Sequence, residues 1–248
     1  MNPLYTRLRQ KAIELEKIRK PPRFYTEFRR EIELSSELLT KNTLLRECIN
    51  HLRLEQEGMG HGFAHSKAVA IEAGALVMID AEKYSVLEGE REEAVFAVHI
   101  AGLLHDIKRG SKDHAVQGSR EASKILDCFG IDERLKRAIV TAIRNHEAFK
   151  KTTPLNSSFD QLISDALYDA DKFRWGPDNF TTTIWQMLEY GNIDPAEFLG
   201  NYQKGIDYIE RVKETFRTPT GRVYGPEIIE TGLKIGQVIY EELKSALA

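Results

Sequence analysis

Seven histidines are spread along the chain, at His51, His61, His65, His99, His105, His114 and His146, and one of them is followed directly by a carboxylate. That dyad, His105-Asp106, closes the apolar run AGLL and precedes the basic stretch IKRG. A greasy helix that buries such a pair needs a reason. A buried carboxylate calls for a cation, and each imidazole has two nitrogens to satisfy. Three more histidines fall on apolar faces at helical spacing. His65 shares a stripe with Ala68, Val69 and Leu76, His114 with Gly118, Ala122 and Ile125, and His146 with Leu135, Ile139 and Ile143. Any one of them is explained by a core histidine bonded to a carbonyl. Three helices turning a histidine inward share a simpler cause, a divalent first-row ion, which takes neutral imidazole and carboxylate as ligands. Asp106 has two oxygens and so can bridge two ions. His99 lies seven residues before Asp106, about 10 Å along a helix, and reads as a core histidine. His51 reads as structural or exposed.

The elements that must position these residues are helical. Leu4, Leu8, Ala12, Leu15 and Ile18 recur at three- and four-residue steps, and Pro21-Pro22 stops that helix. A second stripe runs through Leu44, Leu45, Cys48, Ile49 and Leu52 and fails at Gly58-Met59-Gly60. The Ala-rich segment from Phe63 to about Lys83 and the stretch Glu90 to Lys108, apolar on nearly every side, read as helices buried among others. Gly110 reads as a stop, Asp113 as the N-cap of a helix ending near Gly130, and Asp132 as the cap of one ending near Phe149. Phe159 to Phe173 is a further helix, closed by Trp175-Gly176-Pro177. Two or three more helices, with a turn at Thr218-Pro219-Thr220-Gly221, complete the chain. No strand pattern competes, so the expected class is all-α.

Composition narrows the setting. A net charge of -3 over 248 residues gives no general pull toward nucleic acid. The first thirty residues hold nine Lys/Arg against three Glu, a pattern that most often marks the solvated face of a helix. Cys48 and Cys128 form neither a metal-type spacing nor a disulfide framework. There is no signal-peptide pattern and no apolar run near the ~20 residues that span a bilayer. The expectation is a soluble cytoplasmic protein with no membrane partner.

The ordered set His65, then His105-Asp106, then a later Asp resembles the H…HD…D signature of the HD-domain superfamily of metal-dependent phosphohydrolases. The words around these residues are similar too: GHGFAHSKAVA, AGLLHDIKRG and YDADKF. His114 in HAVQGSREASKIL and His146 in AIRNHE stand where family members with a binuclear site carry two further ligands. The resemblance covers roughly residues 58–175. It implies a first metal on His65, His105, Asp106 and Asp171, and a second on Asp106, His114 and His146. Asp171 is preferred to Asp165 and Asp169 because DADKF matches the family wording; spacing alone does not separate the three. Many binuclear members read HDIGK where this chain reads HDIKRG, so either Lys108 or Arg109 would fill that lysine's place.

The implied architecture is a single HD-domain helical bundle over 41–190, with a basic helical extension over 1–40 and further helices over 191–248 packed on it. The implied activity is that of a metal-dependent phosphohydrolase acting on a nucleotide or other phosphate ester. A hydroxide held by the ions would attack phosphorus, with Asp106 and Lys108 central to the chemistry. Lys108, Arg109, His61 and Lys172 are the candidate substrate-binding residues, because phosphate needs cations and donors nearby. With no thiolate at the site, the cofactor would be one or two ions of Fe, Mn, Co, Ni or Zn. Tyr168, Phe173, Trp175 and Phe180 could wall the substrate or simply fill the core. The same ligand pattern occurs in di-iron oxygenases that cleave C–C or C–P bonds, the principal alternative. A non-catalytic metal- or nucleotide-sensing module is the third reading, in which the terminal helices would serve as partner surfaces, including a homodimer interface.

Overall fold

The computed structural model describes residues 2–53 and 62–248, with the side chains of 48 and 50–53 outside the description. His61 therefore lies outside the described residues, as does the His51 side chain. Among the described residues there are twelve α-helices and no strand, so the chain is all-α. In order these are α1 (Pro3–Ile18), α2 (Arg23–Glu27), α3 (Arg29–Lys41), α4 (Thr43–Arg53), α5 (Phe63–Asp80) and α6 (Glu88–Leu104). They continue as α7 (His114–Cys128), α8 (Glu133–Arg144), α9 (Ser158–Phe173), α10 (Ile184–Tyr190), α11 (Pro195–Lys213) and α12 (Pro219–Ala246). A π-helical turn, Asn179–Thr183, leads into α10. None of the described helices is long and apolar enough to cross a membrane.

Helices α5, α6, α8 and α9 form the centre, and their sequences explain why. Val69, Ala70, Ala73, Leu76 and Val77 of α5 are buried, as are Val98, Ile100, Ala101, Leu103 and Leu104 of α6. The α5–α6 pair meets backbone to backbone. A Cβ on Gly102 would lie 2.5 Å from the Ala70 Cα, so no larger residue fits there. One helical turn away, Gly74 leaves room for the ring of His99, which is 1% exposed and hydrogen-bonded to Ser35 Oγ at 2.8 Å. His99 is a core histidine.

The last helix is pinned to the centre by two buried carboxylates. Asp80, at the end of α5, accepts from Thr220 N (3.0 Å) and Thr220 Oγ1 (2.7 Å). Asp169 of α9 accepts from Arg217 N (2.9 Å) and Thr218 N (2.7 Å). Three of these four donors are backbone amides around a helix N-terminus, which the helix itself leaves unpaired, and the fourth is the Thr220 hydroxyl.

Several boundaries differ from the sequence expectation. Helix α6 ends at Leu104, four residues before Lys108, and residues 105–110 form turns. Asp113 does precede α7, but in the left-handed region (φ 53°) and without a side-chain cap bond. Asp132 caps α8 through Arg134 N and Leu135 N, yet that helix stops at Arg144 rather than near Phe149. Thr218-Pro219-Thr220-Gly221 is the capped first turn of α12, with Thr218 Oγ1 accepting from Gly221 N. In α1, Leu8 and Ala12 are buried, but Ile18 is 81% exposed because the helix has run past its partners. Arg7, Lys11 and Lys17 lie exposed beside that buried stripe, whereas Arg9 is half-buried and donates to Thr181 O at 3.1 Å.

We expect Gly102→Val to be among the most damaging single changes in the core. Forcing side-chain atoms between two touching backbones costs on the order of 3 kcal/mol. Urea unfolding followed by circular dichroism checks it; an unchanged midpoint would contradict the close approach.

Candidate metal centre

Each candidate ligand comes from the end of a helix or just beyond it. His65 is in the first turn of α5, His105 and Asp106 directly follow α6, and His114 opens α7. His146 follows the end of α8, and Asp171 sits in the last turn of α9. The early end of α6 matters here. In a continuing helix the dyad side chains would diverge by about 100°. His105 keeps helical backbone angles (φ -56°, ψ -37°), yet the side chains of both residues reach one buried space.

Six side chains meet there. Asp106 is 3% exposed, and neither of its carboxylate oxygens has a hydrogen-bond partner. Its Oδ2 lies 3.8 Å from His65 Nε2 and 3.5 Å from His105 Nε2. Its Oδ1 lies 3.5 Å from both His114 Nε2 and His146 Nε2. Asp171 Oδ1 completes the first side, 3.5 Å from His65 Nε2 and 3.6 Å from His105 Nε2. The carboxylate thus stands between two pairs of imidazoles, one pair to each oxygen.

The ring nitrogens show what the cluster lacks. His105 Nδ1 donates to Gly102 O at 2.8 Å, and His146 Nδ1 donates to Ile143 O at 2.6 Å. When these rings are neutral, those bonds fix the tautomer and leave Nε2 with a bare lone pair. Yet Nε2 of His105 faces Nε2 of His65 at 3.2 Å, and Nε2 of His146 faces Nε2 of His114 at 3.2 Å. A ring proton or a metal ion between the two nitrogens satisfies either spacing, and His114 Nε2 also accepts from Arg109 Nη1 at 3.1 Å. Ligand atoms about 2.1 Å from one tetrahedral ion lie about 3.4 Å apart, close to the spacings seen here. Groups that could hold a metal ion are His65, His105 and Asp171, and, overlapping them, His105, Asp106 and His146.

Electrostatics agree with the geometry. Burial raises the Asp106 carboxyl, but His105 and His146 outweigh it and hold the acid well below its usual range. Burial likewise raises Asp171, and Lys172 with His105 and His65 drives it well below. Burial pushes His65 down to about 4 against the pull of Asp171. His114 falls to about 4 through burial and His146. For His105 burial acts downward, but Asp106 and Asp171 win and raise it to about 10. Lys172 and the raised His105 bring positive charge to these two carboxylates, and the cluster could also hold a divalent cation.

The structure also separates the three aspartates of α9. Asp165 accepts from Tyr84 Oη (2.8 Å) and Gln161 Nε2, and Asp169 is spent on the start of α12. Only Asp171 of the three reaches the histidines. Of the cationic candidates, Arg109 places Nη1 3.1 Å from His114 Nε2 and 3.6 Å from Asp106 Oδ1, and it lines the cavity above the cluster. Lys108 is not among that cavity's lining residues. Lys172, 4% exposed, is committed to Asp171 Oδ2 and to His146 O (2.9 Å). Glu147 stands 3.7 Å from His114 Nδ1, where it can orient that ring. Trp175 and Phe180 line the cavity, whereas Phe173 packs on Phe24 and Phe216 and Tyr168 bonds Thr215. The sequence reading missed the opposite wall, on α10 and α11. Its signal was present: Phe198, Tyr202 and Ile206 recur every four residues in an otherwise polar helix.

Comparison with models of known protein families, with curated proteins and with solved structures gave no match for this chain. An all-helical chain with a buried His/Asp cluster able to hold metal is compatible with an HD domain.

Adding Mn²⁺ or Fe²⁺ to chelator-treated protein should raise its melting temperature. A ligand present at a hundred times its Kd adds about 2.7 kcal/mol to the folded state. In Asp106→Ala most of that increment should vanish, and differential scanning calorimetry reads both. A shift of equal size in the variant would show that the metal binds elsewhere.

Proposed function

We propose that the chain is an HD-type, metal-dependent phosphohydrolase acting on phosphate esters. The observation that carries the reading is the Asp106 carboxylate, buried and without hydrogen bonds, with each oxygen facing its own pair of imidazole nitrogens. His65, His105, Asp106 and Asp171 would hold one ion, and Asp106, His114 and His146 a second. Iron, manganese, cobalt, nickel or zinc suits this donor set. Divalent ions held there supply Lewis acidity and acidify a water enough for it to serve as nucleophile near neutral pH.

The chain's own residues supply the rest. The Gly102 and Ile143 carbonyls fix the rings of His105 and His146. Lys172 holds Asp171 in place. The Arg109 side chain is 33% exposed, lines the cavity and presents guanidinium N–H groups beside the cluster. Such a fork suits phosphoryl oxygens and stabilises the charge that builds on them during transfer.

The test is hydrolysis of p-nitrophenyl phosphate by the full chain reconstituted anaerobically with each metal in turn. We expect turnover with at least manganese or iron. Arg109→Ala should lower kcat/KM by about 100-fold, the usual order for one lost transition-state donor. Lys108→Ala should leave it within about threefold, the scale of a surface charge. Absence of phosphate release with every metal would overturn the reading, and turnover only with iron and dioxygen would replace it with the oxygenase.

A further inference from the structure

The cavity over the cluster has a volume of about 270 Å³, just below the roughly 300–1,000 Å³ typical of ligand sites. Its floor is His65, Asp171 and Arg109. Its walls differ sharply in chemistry from that floor. Helix α11 presents Phe198, Tyr202, Ile206 and Ile209, and α10 faces them with Ile184 and Met187. Trp175 and Phe180 close the side nearest the cluster. The polar wall groups are few, chiefly Asn179, Thr183 and Asn201.

Positive charge on these walls is equally scarce. Two arginines line the cavity, Arg109 and Arg174. The second is already committed: Arg174 pairs with the buried Glu72 carboxylate and with Asp178, and donates to Tyr25 Oη at 2.9 Å. Among the described residues Arg109, at the rim of the histidine cluster, is the remaining lining cation that can meet a ligand's charge. A nucleoside triphosphate carries several negative charges and a polar sugar and base. Burying those here would leave most of them unpaired against aromatic and aliphatic walls, which is costly.

We propose that the substrate class is an amphiphile with one phosphate head and an apolar body, an alkyl or aryl phosphomonoester rather than a nucleotide. The head would sit at Arg109 and the histidine cluster, and the body between α10 and α11. The phosphate head rests on the hydrolase reading above; the apolar body rests on the cavity walls alone.

Gly205 offers a way to test the walls. It lines the cavity, and a Cβ built on it meets no heavy atom within 4 Å. Gly205 is exposed at the edge of the cavity, so Gly205→Phe adds a ring there without strain and narrows the space between α10 and α11. The experiment measures binding to the metal-loaded full chain by Trp175 fluorescence, with Trp175→Phe identifying the signal. The probes are ethyl, butyl, hexyl and octyl phosphate, with AMP and ATP. We expect Kd to fall by roughly threefold to fourfold per added methylene. Octyl phosphate should bind more tightly than either nucleotide, and Gly205→Phe should flatten the series. A flat series in the wild-type chain, or tighter binding of AMP or ATP than of octyl phosphate, would overturn the proposal. Phosphate release from the same compounds is scored separately. A steep binding series without release would remove the hydrolase and keep the amphiphile site. Release with no chain-length dependence would do the reverse.

Discussion

The structure depends on one buried carboxylate. Asp106 sits among four imidazole nitrogens with both oxygens shielded from water and from hydrogen-bond donors. Left alone, such a group costs several kcal/mol of desolvation that no neighbour here returns through a hydrogen bond. The rings of His105 and His146 offset this cost and hold the carboxyl well below its usual range. Both rings spend their Nδ1 protons on backbone carbonyls and turn Nε2 inward. This arrangement makes sense for a group that coordinates cations.

The scaffold follows from that requirement. Ligands from five helices must reach one small volume, so the helices end there rather than pass through it. His105 and Asp106 follow the end of α6 at Leu104, His146 follows the end of α8 at Arg144, and all three reach the same space. The tight packing behind the site keeps these ends in register, with Gly102 and Ala70 touching at the backbone three residues before His105. The neighbouring carboxylates are spent on structure. Asp169 and Asp80 hold α12, and Glu72 holds Arg174. A cluster of acids on consecutive turns thus divides into one that faces the metal-type site and several that bind the fold together.

The helical class was legible because the apolar period of 3.6 runs almost unbroken along the chain, and the inward histidines could be found from that period alone. The helix ends were less legible. A pattern such as AVFAVHIAGLLHDIK gives no local sign that the helix stops at Leu104, because no Gly or Pro follows that residue before Gly110. Asp113 looked like an N-cap, but it adopts a left-handed backbone and gives its side chain no capping role. The choice of Asp171 over Asp165 and Asp169 depended on family wording, since period and composition treat the three alike. Only their partners in space, Tyr84 and Gln161, the start of α12, and the histidine pair, distinguish them. The cavity wall on α11 was overlooked because an apolar stripe on a surface helix ordinarily packs against protein.

The site therefore joins a strongly polar floor to apolar walls, and the two halves make separate demands on a ligand. The floor carries the central claim, and elemental analysis addresses it most directly. Full-length protein purified without chelator should contain close to two divalent transition-metal ions per chain by inductively coupled plasma mass spectrometry, with the second ion lost in His114→Ala. Protein that retains no such ion, and takes none up from an excess of manganese, iron or zinc, would contradict the claim that Asp106 and its imidazoles form a metal centre.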